Sequence, residues 1–147
     1  MDLTGSSLVI VADGRRARLF EERRRGGPLI EVTSQLGDLA PHRPMAASHA
    51  GGSHERMGPA SHTGDRPTPG ERREDDFIDL VGARAADVMR RSDHQGLVLI
   101  AAPRALGRLR QAMAHAKLTV SHAEARDRVS QTPDELRTCL RELRLHD

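Results

Sequence analysis

Tryptophan and tyrosine are absent from this 147-residue chain, and Phe20 and Phe77 are its only aromatic side chains. Proteins that read single-stranded RNA stack bases on aromatic rings, so base stacking is not expected to dominate recognition here. Cysteine is just as scarce. Cys139 alone can form neither an internal disulfide nor a thiolate metal cage, and a reducing cytoplasm is the compartment that fits. No apolar run approaches the roughly 20 residues that cross a bilayer, and the opening MDLTGSS places no basic stretch ahead of an apolar one, so neither a membrane span nor an export signal is expected. Lysine occurs once, as Lys117; the other 22 cations are arginines, set against 21 acids for a net charge of +2. That is too little for a surface that attracts nucleic acid everywhere, although guanidinium forks suit phosphate and carboxylate wherever they cluster.

Leucine, isoleucine, valine and phenylalanine make up only 30 of 147 residues, and all but one lie outside residues 37–73. That segment holds six Gly, five Pro, three Ser and four His in 37 residues, too little apolar surface to offset the entropy of ordering, and it reads as a long flexible loop within one domain, 1–147.

Before it, Leu8 to Ala12 (LVIVA) is a strand, Asp13-Gly14 a hairpin signal, and Arg16 to Glu21 (RARLFE) the antiparallel partner. Gly26-Gly27-Pro28 turns the chain into a third strand, Leu29 to Leu36, whose alternation weakens after Val32. After the loop, apolar residues from Phe77 to Met89 recur at helical spacing and predict a helix over Glu74 to Arg91, with Asp75 and Asp76 in its first turn. Leu97 to Ala102 is apolar on both faces, as a strand covered by helices would be. Pro103 opens a second helix, Leu118 to Glu124 alternates as a fifth strand, and Thr132-Pro133-Asp134-Glu135 is a capping box that starts the last helix.

The order βββαβαβα with right-handed crossovers predicts a mixed five-stranded α/β sheet ordered 3-2-1-4-5 with helices on both faces, the ribonuclease-H-like arrangement. The third strand would then lie at a sheet edge, through which a homodimer is one expectation.

A nuclease of that fold needs carboxylates from the central strands around two metal ions, and LVIVAD and LVLIAAP supply only Asp13. Ligands in open α/β sheets sit beyond the carboxyl ends of strands that diverge, here the first and fourth. Asp13, Gly14, Arg15 and Arg16 at one tip and Arg104 and Arg108 at the other are therefore the candidate anion- or RNA-binding residues, beside a helix amino end. The competing structural reading makes Asp13-Gly14 a hairpin turn and pairs Arg104 with Asp13. His42, His49, His54 and His62 match no metal-ligand spacing, so no metal and no cofactor are expected. His122 reads as a partly buried, hydrogen-bonded histidine, Cys139 as a core thiol, and Phe77 as part of the helix core. Arg23 to Arg25 and Arg137, Arg141 and Arg144 form further arginine arrays.

Leu8 to Glu21 (LVIVADGRRARLFE) and Gly96 to Arg110 (GLVLIAAPRALGRLR) together resemble the bacterial family named "protein required for attachment to host cells". That family is similar in turn to the central domain of the eukaryotic and archaeal peptide-chain release factor and of Pelota, which implies the same ribonuclease-H-like topology. The release-factor loop carries Gly-Gly-Gln, which positions water on an ester bond; the corresponding candidates here are Gly51, Gly52 and Ser53, and the missing glutamine argues against peptidyl-tRNA hydrolysis. Relatives carry an Asp-Arg-Pro-Gly-type element before the first helix; Asp65, Arg66 and Pro67 keep its Asp-Arg-Pro, and Thr68-Pro69 interrupts it before Gly70. The resemblance implies a non-catalytic cytoplasmic binding module that engages the ribosome or structured RNA. Its alternatives are a host-attachment factor that acts indirectly, and an enzyme or sensor that binds a small anion between the first and fourth strands.

Overall fold

The computed structural model describes residues 5–39 and 66–146. Ser7–Ala12 (β1) and Ala17–Glu22 (β2) pair antiparallel through the register Val9 with Phe20, and Leu29–Glu31 (β3) continues the meander with Phe20 opposite Glu31. Gly96–Ala101 (β4) runs parallel to β1, with Ala12 opposite Ala101, and His122–Ala125 (β5) is parallel beyond it. The sheet order is β3-β2-β1-β4-β5, the order that the strand pattern predicts.

Pro69–Arg91 (α1) and Pro103–His115 (α2) cover one face; Pro133–Leu145 (α3) covers the other. Alternate residues divide accordingly. Leu8, Ile10, Leu97 and Leu99 pack with Ile78, Val81, Ala85 and Leu109, while Val9, Val11, Val98 and Ile100 pack with Phe20, Leu136 and Leu140. β1 is buried throughout and β4 from Leu97 onward, which explains why neither shows polar alternation. At Gly82 an added Cβ would meet the Ala112 Cβ at 2.6 Å, so α1 and α2 approach as closely as they do only because this position has no side chain.

Three boundaries differ from those expected. The third strand stops at Glu31 rather than Leu36, and Thr33–Leu36 forms a short 3-10 helix. Thr33 causes the switch: its hydroxyl accepts the Leu19 N–H at 3.0 Å, taking the place of a backbone rung, while Leu36 drops fully into the core. The first helix starts at Pro69, not Glu74, because Thr68 and Glu71 form a capping box; its first-turn acid is Glu71, and Asp75 and Asp76 lie further in. The fifth strand spans His122–Ala125 rather than 118–124. Lys117, at a φ of 62°, ends α2, Leu118 N–H returns to the Met113 carbonyl, and Ser121 is the first residue to reach β4, through Leu97. The helix therefore takes residues 69–73 of the loop expected over 37–73, of which residues 40–65 lie outside the described residues.

Candidate functional site

The tips of β1 and β4 lie side by side, with Ala102 N–H donating to the Ala12 carbonyl. Asp13 turns the chain: its Oδ1 accepts from the backbone N–H of Arg15 at 2.8 Å and of Arg16 at 2.7 Å. Gly14 then leaves room for the Glu74 carboxylate, which a Cβ there would meet at 2.7 Å. Arg15, 84% exposed, reaches that carboxylate at 3.6 Å.

Arg104 and Arg108 face α1 instead of Asp13. The Arg104 Nε and Nη2 donate to the two oxygens of Asp75, each at 2.9 Å, and Arg108 grips Asp79 in the same way at 2.9 and 2.8 Å. The expected Asp13–Arg104 pair is not formed. The hydrogen bond from Arg104 holds the Asp75 carboxyl below its ordinary range against an opposing desolvation, and the same pairs push the guanidinium groups upward. Two forks proposed for an external anion are thus engaged by internal carboxylates, and the cavity between the tips is about 70 Å³, roughly two waters.

A larger groove, about 660 Å³, opens beside the tips, between the β1–β2 hairpin and the start of α1. Arg15, Arg16, Arg18 and Arg73 border it with Glu74, and Leu39 and Phe77 supply its apolar lining. Arg18 is fixed: it bonds both Glu31 oxygens and the carbonyls of Val129 and Gln131, and lies 4.9 Å from the Phe20 ring centre. Its hydrogen bond is also the main reason the Glu31 carboxyl is held below its ordinary range. Arg16 reaches the Ser130 hydroxyl. Arg73 is exposed and makes no ion pair among the described residues. Phe77 packs against the core from its margin and is half-buried, because the apolar stripe of α1 centres on Ile78, Val81, Ala85 and Val88.

Of the other candidates, Gly51, Gly52, Ser53 and Asp65 lie outside the described residues, and Arg66 is exposed where the described chain resumes. His122 is half-buried. The Cys139 thiol donates to Gln131 Oε1 at 3.4 Å, and burial pushes its pKa up, opposite to the shift that activates a nucleophile. One constellation has no counterpart in the sequence reading: His94 lies between the Ser6 hydroxyl, 3.0 Å from Nδ1, and Glu21, 3.4 Å from Nε2. Its three members come from separated segments with no motif between them. It joins the start of β1, the end of β2 and the α1–β4 connection.

These features describe an α/β protein with a ribonuclease-H-like sheet order and an arginine-bordered groove beside the diverging strands. The chain belongs to the family described as "Protein required for attachment to host cells", which matches it over residues 8–140. No curated protein matches the chain. Among the described residues no helix is long and apolar enough to cross a membrane.

Proposed function

We propose that this member of the family is a non-catalytic binding module that engages structured RNA, ribosomal RNA included, inside the cell. The observation that carries the reading is a groove bordered by Arg73, which makes no ion pair among the described residues, and by exposed Arg15, paired only with Glu74 at 3.6 Å, with Phe77 half-buried in its lining. A single ring takes one unpaired base, and the arginines beside it take its phosphates. The small net charge fits a local grip better than diffuse attraction.

The test is fluorescence anisotropy with a stem-loop RNA that presents unpaired bases. Phe77→Ala is expected to weaken binding about tenfold, from a stacking loss of about 1–3 kcal/mol. Arg73→Ala should lower affinity and flatten the salt dependence. Absence of saturable binding at low salt overturns the reading, as does equal affinity for a fully paired duplex.

The family description supports a second reading, a contribution to attachment to host cells, and we propose that it would be exerted indirectly, from within the cell. Recovery of the native protein outside intact cells would overturn it.

A further inference from the structure

At the opposite end of the sheet, two arginine arrays more than a hundred positions apart in the sequence meet. The β2–β3 hairpin and α3 enclose a cleft of about 260 Å³, lined by Arg25, Arg137, Arg141 and Arg144 with Glu22 as its sole acid. Two of these side chains build the wall. Glu22, 1% exposed, accepts Arg144 Nη1 at 2.8 Å and Nη2 at 2.7 Å, and the Gly26 N–H at 2.9 Å. Arg137 Nε donates to the Gly26 carbonyl at 2.9 Å, which ties the hairpin to the helix.

The remaining cationic capacity is uncommitted. Arg25 and Arg141 form no ion pair or side-chain hydrogen bond among the described residues, the terminal nitrogens of Arg137 have no partner there, and the buried Arg144 Nε–H lacks an acceptor. Four guanidinium groups against one carboxylate leave a local charge of +3 on a concave, prebuilt wall, and guanidinium geometry matches phosphate oxygens two at a time. The volume suits a small ligand and not the rounded face of a duplex.

We propose that this cleft binds the phosphate or diphosphate group of a small soluble compound, with Arg25 and Arg141 as the ligand-gripping residues and the Glu22–Arg144 pair holding the wall in place. This site is separate from the Phe77 groove and stands without it.

Titration calorimetry with inorganic pyrophosphate is the test. Saturable one-to-one binding is expected, weakened about tenfold by Arg25→Ala and by Arg141→Ala, the loss of one charge-assisted contact each. Arg110→Ala, an exposed arginine elsewhere, and Phe77→Ala should leave it unchanged. No saturable heat at millimolar pyrophosphate overturns the proposal, and so does an equal loss in Arg110→Ala, which would mark diffuse attraction. If pyrophosphate fails to bind while stem-loop RNA binding depends on Arg25 and Arg141, the cleft serves a nucleic-acid backbone and the small-ligand proposal falls. RNA binding lost in Phe77→Ala with pyrophosphate binding intact separates the fate of the two sites.

Discussion

Arg104 on α2 holds Asp75 on α1 through two parallel hydrogen bonds of 2.9 Å, 29 residues apart in sequence, and Arg108 repeats the grip on Asp79 one turn along. The paired carboxylates and guanidinium groups turn the joint between the two helices into a charge ladder at the edge of the candidate site.

That ladder sets a pH dependence. The Asp75 carboxyl is lowered by its hydrogen bond from Arg104, and the Glu31 carboxyl by its hydrogen bond from Arg18. A depressed carboxyl contributes stability that is fully present above its unfolded-state pKa and is lost as pH falls through the folded-state value. Urea unfolding should therefore show stability that declines below about pH 4. Asp75→Asn should be less stable at neutral pH and flatter over the acid range; identical acid slopes for both proteins would refute this assignment.

Glu22 and Arg144 are the most buried ion pair among the described residues, with side chains 1% and 9% exposed. Glu22→Gln should destabilise by about 3 kcal/mol, since it leaves a buried guanidinium without its counter-charge. Replacing both members, as in Glu22→Leu with Arg144→Met, should recover much of that loss in the same unfolding measurement. A double-variant loss equal to the sum of the Glu22→Leu and Arg144→Met losses would show that the pair is not coupled.

Gly82 gives a sign that helix propensity alone would get wrong. Alanine is favoured over glycine inside a helix by about 1 kcal/mol, yet its Cβ would sit 2.6 Å from that of Ala112. Overpacking costs about 1–3 kcal/mol, so Gly82→Ala should be net destabilising, and adding Ala112→Gly should restore part of the loss. A rise in melting temperature for Gly82→Ala alone would show that the helices separate freely.

Cys139 should react slowly with iodoacetamide at neutral pH, more slowly than a cysteine in an unstructured peptide, because burial keeps the thiol protonated. Unfolding in urea should restore the ordinary rate. Fast alkylation of the folded chain would place the thiol in solvent.

The sheet was readable because its signals are local: LVIVA and LVLIAA are apolar without interruption, Asp13-Gly14 marks the hairpin, and right-handed crossovers leave one order for the rest. The true start of α1 is marked just as locally, but its surroundings hide it. Thr68-Pro69-Gly70-Glu71 has the same Thr-Pro-x-Glu pattern that marks α3 at Thr132, but it is embedded in a glycine- and proline-rich stretch that reads as loop. Side-chain partners were the least legible. Asp13 and Arg104 are brought near by the strand tips, yet Asp75 offers Arg104 a better-placed carboxylate because α1 and α2 lie against each other through Gly82. The convergence of Arg25 with Arg141 depends on where α3 crosses the meander, which no window of sequence contains.

Both margins of the sheet are brief: β3 offers three residues and β5 four. A foreign strand laid alongside either would find too few open rungs to outweigh the cost of being straightened, so neither border is a ready template for stacking one molecule on the next. At high concentration, encounters between copies would then fall to their outward side chains, where 23 cations and 21 acids nearly balance and local charge pattern, not net repulsion, sets each contact.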